Sequence, residues 1–219
     1  MTEDEARAFI RAQTRPACPP LAPELTLHLA TAVTPLWEAT EEMLAQARLE
    51  PPYWAFAWPG GQALARYVLD HPELVRKRAV LDFAAGSGLA AIAAARAGAR
   101  HVVAAELDPL AAVAARLNAA LNHVFVETVT GDLCAEPPAG WDVILAGDVC
   151  YDARMTARVV PWLRSAAARP GTLVLLADPG RAYLPREGLE PLAAFDVPVT
   201  RELEDREVRR AVVYRLMPP

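Results

Sequence analysis

Between residues 78 and 177 the chain switches repeatedly between short apolar runs and segments of helical spacing, with no linker between them. Residues 78–82, 102–106, 124–129, 141–146 and 172–177 read as strands. Residues 89–97, 109–122 and 155–168 read as helices, the second with Asp108 as its cap and Pro109 at its first position. Such alternation constrains the fold to a mostly parallel sheet with helices on both faces. The C-terminus breaks the pattern. Two strand-like segments, 197–203 and 208–216, are separated by only four residues, and so short a connection permits only antiparallel pairing. The expected class is α/β: a Rossmann-like sheet of seven strands, mostly parallel, closed by an antiparallel C-terminal hairpin.

Upstream, residues 1–50 read as an N-terminal extension and 51–219 as the main domain. Thr2 and Glu5 have capping-box spacing at the start of a first helix. Residues 25–30 alternate like a strand, and 35–47 read as a second helix. A further helix is expected over 61–70, ended by His71 and Pro72. The chain has 219 residues, 53% of them hydrophobic, enough for a self-sufficient core. A net charge of -5 lacks the basic footprint of a general nucleic-acid binder. The three cysteines have no metal-ligand spacing and are odd in number, so free thiols in a reducing compartment are expected, with no metal site. No apolar run approaches the ~20 residues of a membrane span, and the first residues lack a secretory core. The expectation is a cytoplasmic protein, a monomer or weak oligomer, with no nucleic-acid or membrane partner.

The chemistry gathers at the strand ends. Asp82, Ala84, Gly86 and Gly88 lie in a turn between a strand and a helix, where glycine lets the backbone turn tightly and come close to a ligand. The turn alone fits a dinucleotide site, or no ligand at all. Glu106 ends the next strand, placed to accept both hydroxyls of a ribose. Asp82 precedes the glycines; its charge would repel a pyrophosphate but suits the sulfonium and ammonium of S-adenosyl-L-methionine. Asp132 and Leu133, after the third strand, are candidates for an adenine amino group and ring, although Gly-Asp pairs are also ordinary turns.

These motifs, LDFAAGSGLAAIAAARAGA, VVAAELDP and GDL in that order, resemble the seven-strand S-adenosylmethionine-dependent methyltransferases. Three further stretches are similar to the lysine methyltransferases of the electron transfer flavoprotein β-subunit: PPYWAFAWPGGQALARYVLD, the Asp148-x-x-Tyr151 pattern, and Ala177 to Arg181. The resemblance implies S-adenosyl-L-methionine as cofactor and a protein substrate. It implies Trp58 and Gly60 as donor-site closure, Asp148 as the carboxylate that orients the lysine ammonium, and Tyr151 as a wall of the lysine channel. Asp178, Pro179 and Arg181 would line the substrate side, although Arg181 could instead bridge surface acids. The stretch from Tyr53 to Trp58, if extended, puts Trp54, Phe56 and Trp58 on one face. Other readings stay open: N-methylation of a small nicotinamide-like molecule or a ribosomal protein, a dinucleotide oxidoreductase, or a non-enzymatic binding protein.

Overall fold

The computed structural model describes residues 1–30, 51–199 and 204–219. The helix expected over 35–47 lies outside them. The chain starts with helix α1 (Glu3–Gln13), where Thr2 and Glu5 form both halves of the capping box. Strands β1 (Arg15–Ala17) and β2 (Leu27–Leu29) pair antiparallel in a small sheet of their own. Helix α2 (Pro59–Asp70) then leads into the main sheet. It begins two residues earlier than its spacing indicates, with Pro59 at the first position, where a missing N–H costs nothing.

The main sheet contains β3 (Ala79–Phe83), β4 (His101–Glu106), β5 (Glu127–Thr130), β6 (Val143–Gly147), β7 (Leu173–Asp178), β8 (Leu189–Pro198) and β9 (Val208–Leu216). Its order is β5-β4-β3-β6-β7-β9-β8, with parallel pairing from β5 to β7 and antiparallel pairing of β9 to both neighbours. The class and the reversed C-terminal hairpin match expectation. The hairpin's first strand does not. It runs over Leu189–Pro198 and only overlaps the expected segment at its end; residues 200–203 lie outside the description. Pro191 and Pro198, together with charges at Glu190 and Asp196, hide a strand that the edge of a sheet tolerates. The third strand also starts later than expected, at Glu127.

Helices α3 (Leu89–Arg96), α4 (Pro109–Leu121) and α5 (Ala153–Ala167) connect the strands. Alternate residues of each central strand enter opposite cores. Val80 and Leu145 pack with α2 and α3, while Leu81 and Ile144 pack with Trp162 and Leu163 of α5. A third cluster joins Ile10 of α1 to Trp54, Phe56 and Leu117. The N-terminal segment is also tied to α4 by hydrogen bonds. Asn118 Oδ1 accepts from His28 N at 2.7 Å, and Asn122 Oδ1 accepts from Thr26 N at 2.9 Å. Asn118 Nδ2 in turn donates to Ser87 O in the glycine turn at 2.8 Å, so the extension braces that turn through one buried side chain.

Candidate active site

The chain runs from β3 to β4 and β5 on one side, then returns to place β6 and β7 on the other. A crevice opens where the order reverses, outside the carboxyl ends of the strands. Here it is a cavity of about 700 Å³, reached by residues from β3, β4, β6 and α5. Trp58, Ala84, Gly86, Glu106, Asp132, Leu133, Asp148, Tyr151 and Arg181 all line it.

The glycine turn is built against the strand ends. Ala84, Gly86 and Gly88 have φ of 54°, 52° and 77°. At Gly88 a Cβ would come within 3.0 Å of Ala115 Cβ, so glycine lets α3 and α4 close. Glu106 receives the Gly86 and Leu107 N–H groups, and burial raises its pKa. Asp82 lies behind this turn, 3% exposed, and Oδ2 accepts from Ala91 N at 2.8 Å. Burial pushes its carboxyl up to about 7, offset in part by that hydrogen bond, while Glu106 adds repulsion. Asp82, Gly60 and Gly88 are absent from the cavity lining. Their place is in the supports behind it.

Asp132 accepts from Cys134 N at 3.0 Å and pairs with Arg158, whose guanidinium holds its carboxyl below the usual range. Arg154 and Arg158 were not anticipated. They sit one turn apart on α5 and both line the cavity, so helical spacing after the Asp148-x-x-Tyr151 pattern could have marked them.

On the other side, Asp148 leaves β6 with φ of 54°, a left-handed turn that aspartate tolerates better than most side chains. Its Oδ2 accepts from Gly61 N at 2.8 Å. Gly60 is required next to it, because a Cβ there would fall 2.6 Å from that oxygen and 2.5 Å from Ala177 O. Oδ1 is buried with no hydrogen-bond partner, and Arg181 Nη2 is 3.8 Å away. Burial raises the Asp148 carboxyl to about 7, against the opposing pull of Gly61 N and Arg181. Tyr151 is 45% exposed at the mouth, its ring 5.5 Å from that of Tyr53. The aromatic stretch is not extended as assumed: Tyr53–Ala55 is a 3-10 turn. Trp54 and Phe56 are buried in the third core cluster with Trp58 packed partly against it, and Tyr53, Trp54 and Trp58 all line the cavity.

Residues 62–175 match the family model of ribosomal protein L11 methyltransferase (PrmA). The electron transfer flavoprotein beta subunit lysine methyltransferase of Danio rerio is 38% identical over 98% of this chain and 84% of its own length. That of Xenopus laevis is 37% identical over 97% and 87%. The chain belongs to this lysine methyltransferase family. It is an S-adenosylmethionine-dependent enzyme of the methyltransferase fold. Magnesium protoporphyrin IX methyltransferase from Synechocystis PCC 6803, solved once with bound SAM and once with bound SAH, has the same fold, with TM-scores of 0.53 and 0.51, covering 71% of this chain and 77% and 80% of the other at 18% and 17% identity.

The cavity fits that cofactor. It combines the Glu106 carboxyl, at the end of β4, with a backbone turn of positive φ that a ligand can approach closely. Among the described residues no group of three or more His, Cys, Asp or Glu side chains is placed to hold a metal, and no helix is long and apolar enough to cross a membrane.

Proposed function

We propose that this enzyme methylates lysine side chains of the electron transfer flavoprotein β-subunit. The observation that carries the acceptor chemistry is the Asp148 carboxylate, with one oxygen tied down and the other buried at the cavity wall without a hydrogen-bond partner. A buried acceptor left unpaired costs free energy that an incoming ammonium recovers. The protein identity of the acceptor rests on the relatives, which match nearly the whole chain.

S-adenosylmethionine supplies the methyl group. On this reading Glu106 holds its ribose, Leu133 its adenine ring and Asp132 the adenine amino group, while Trp58, Ala84 and Gly86 complete the wall. Asp82, Gly60 and Gly88 act from behind by fixing the turn and α2. The acceptor lysine, with an ordinary pKa near 10.4, must lose a proton before its nitrogen can attack. Asp148 draws in the ammonium, orients it and takes the proton on Oδ1. Tyr151 and Tyr53 form the channel, where an aromatic face accommodates a cation. Three free thiols accord with a cytoplasmic setting, and we take the enzyme to act as a monomer or weak oligomer without nucleic acid.

The test is incubation with S-adenosylmethionine and recombinant electron transfer flavoprotein, followed by mapping of modified lysines by mass spectrometry. Mass increments of about 14 Da per methyl on the β-subunit are expected. Their absence overturns the assignment. The match to the L11 methyltransferase model supports one second reading, a ribosomal-protein acceptor, and a parallel incubation with ribosomal proteins separates the two.

A further inference from the structure

Arg181 follows β7 and forms part of the cavity wall. Its guanidinium carbon is 5.9 Å from the Trp58 ring centre, and Nη2 is 3.8 Å from Asp148 Oδ1. A guanidinium this near a buried carboxylate oxygen would normally close to ~2.7–2.9 Å. It is held away. Nη1 donates to Glu204 Oε2 at 3.2 Å, and Nη2 donates to Glu204 Oε1. The Glu204 side chain is 1% exposed and is anchored from the far side by Arg209 of β9. Arg209 Nε donates to Oε2 at 2.9 Å and Nη2 to the Glu204 carbonyl at 3.2 Å. The Arg181 backbone N is itself tied to Asp178 Oδ1 at 2.6 Å.

We propose that Glu204 is a positioning residue that restrains Arg181, so that Asp148 Oδ1 stays open for the cationic acceptor amine. This rests on the reading of Asp148 as the acceptor-side carboxylate. Two cations compete for one oxygen: the guanidinium, always present, and the lysine ammonium, which arrives with substrate. Glu204 and Arg209 settle the competition by engaging the guanidinium elsewhere. Neutralising Glu204 releases Arg181 to close the remaining distance and occupy the oxygen.

The groups facing Asp148 are Gly61 N from the start of α2, Asp178 at the end of β7, Arg181, Glu204 and the adjacent Cys150 thiol. Glu204→Gln removes one like charge and brings the guanidinium closer. Both changes favour the carboxylate, so the acid limb of kcat/KM moves to lower pH.

The experiment is a double-mutant cycle on the full chain with electron transfer flavoprotein as acceptor: wild type, Glu204→Gln, Arg181→Met and the pair. Glu204→Gln is expected to raise acceptor KM about tenfold, equivalent to one displaced ion contact, with donor affinity and kcat nearly unchanged. In the Arg181→Met background the same change is expected to raise KM no more than about twofold. An equal loss in both backgrounds, or a loss in donor affinity instead, overturns the proposal. Arg181→Met alone tests the premise if Glu204→Gln does not fold: with the guanidinium already held off the oxygen, acceptor KM changes no more than about twofold and the acid limb moves to higher pH, whereas a larger rise in KM overturns it. Carbon-13 carboxyl NMR of Asp148 needs no acceptor, so it remains decisive if wild type fails to methylate the flavoprotein. Its titration midpoint falls in Glu204→Gln and rises in Arg181→Met; an unmoved midpoint in both overturns the proposal.

Discussion

Asp82 and Asp148 stand at the ends of adjacent strands and share most of their physical environment. Asp82 is almost fully buried and Asp148 mostly so, and each accepts at 2.8 Å from the N–H of the third residue of a following or facing helix, Ala91 of α3 or Gly61 of α2. Desolvation pushes both carboxyls up to about 7. They differ in what the second oxygen meets. Asp82 lies within β3, behind the glycine turn and off the cavity wall, with Glu106 as its charged neighbour. Asp148 is one residue past β6, in a left-handed turn, and puts an unpartnered oxygen beside Arg181 at the wall. Burial and a helix N-terminus make a buttress in one case. The same ingredients, three residues further along the paired register, leave an unpartnered oxygen at the cavity wall in the other.

Turnover separates the pair most strongly. Asp148→Ala is expected to lower kcat about 10²–10⁴-fold, the usual range for a lost acid–base group, with donor affinity by calorimetry almost intact. Near-normal turnover would remove its catalytic role and make both aspartates buttresses. Asp82→Ala acts on the other side. It leaves the Ala91 N–H unpaired, costing about 1–3 kcal/mol of stability, and loosens the turn, so donor affinity falls. Asp82→Asn, which retains an acceptor oxygen, loses less of both in chemical denaturation and calorimetry. Stability unchanged in Asp82→Ala would sink the buttress assignment.

The glycine turn is legible in the sequence because its residues are contiguous: Asp82 to Gly88 lie in one motif, and Glu106 closes the next strand. The Asp148-x-x-Tyr151 pattern was equally compact. What the sequence concealed is long-range or depends on backbone shape. That Arg181 could bridge acids is readable from the sequence, but its partner Glu204 is buried and 23 positions away, with no local pattern to single it out. The 3-10 turn at Tyr53–Ala55 buries Trp54 in the third cluster yet keeps it, with Tyr53, on the cavity lining, which no alternation rule anticipates. Gly60 shows the same limit. Its glycine character was visible, but its purpose, clearing Asp148 Oδ2 and Ala177 O, required the fold.

The pH dependence of stability tests what the two carboxyls share. Each has an ordinary value of 3.8 and a folded value of about 7. Between those values the folded state keeps protons that the unfolded state has lost. Their contribution therefore favours folding at low pH and declines as pH rises through that window. Asp82→Asn and Asp148→Asn each remove one titrating group, so denaturation midpoints measured from about pH 4 to 7 should decline less steeply than in wild type. A steeper decline in either variant would show that the replaced carboxyl was stabilised as the anion, and would break the likeness between the sites.

The smallest expected effect concerns Trp58, the cap residue of α2. Its Nε1–H donates to Tyr53 O at 2.8 Å, and its ring is 5.9 Å from Phe56 and 6.0 Å from Tyr53. Arg181 lies over the same ring, so the indole covers the Asp148 end of the cavity more directly than the glycine turn. Trp58→Ala is expected to weaken donor affinity by about three- to tenfold, or about 1 kcal/mol, with less loss of stability than Asp82→Ala because the indole is only partly buried. Calorimetry and thermal unfolding on the same samples read both quantities. If stability falls while donor affinity holds, Trp58 belongs with the buttresses, and the cavity's working wall is confined to the side of Asp148 that carries Tyr151.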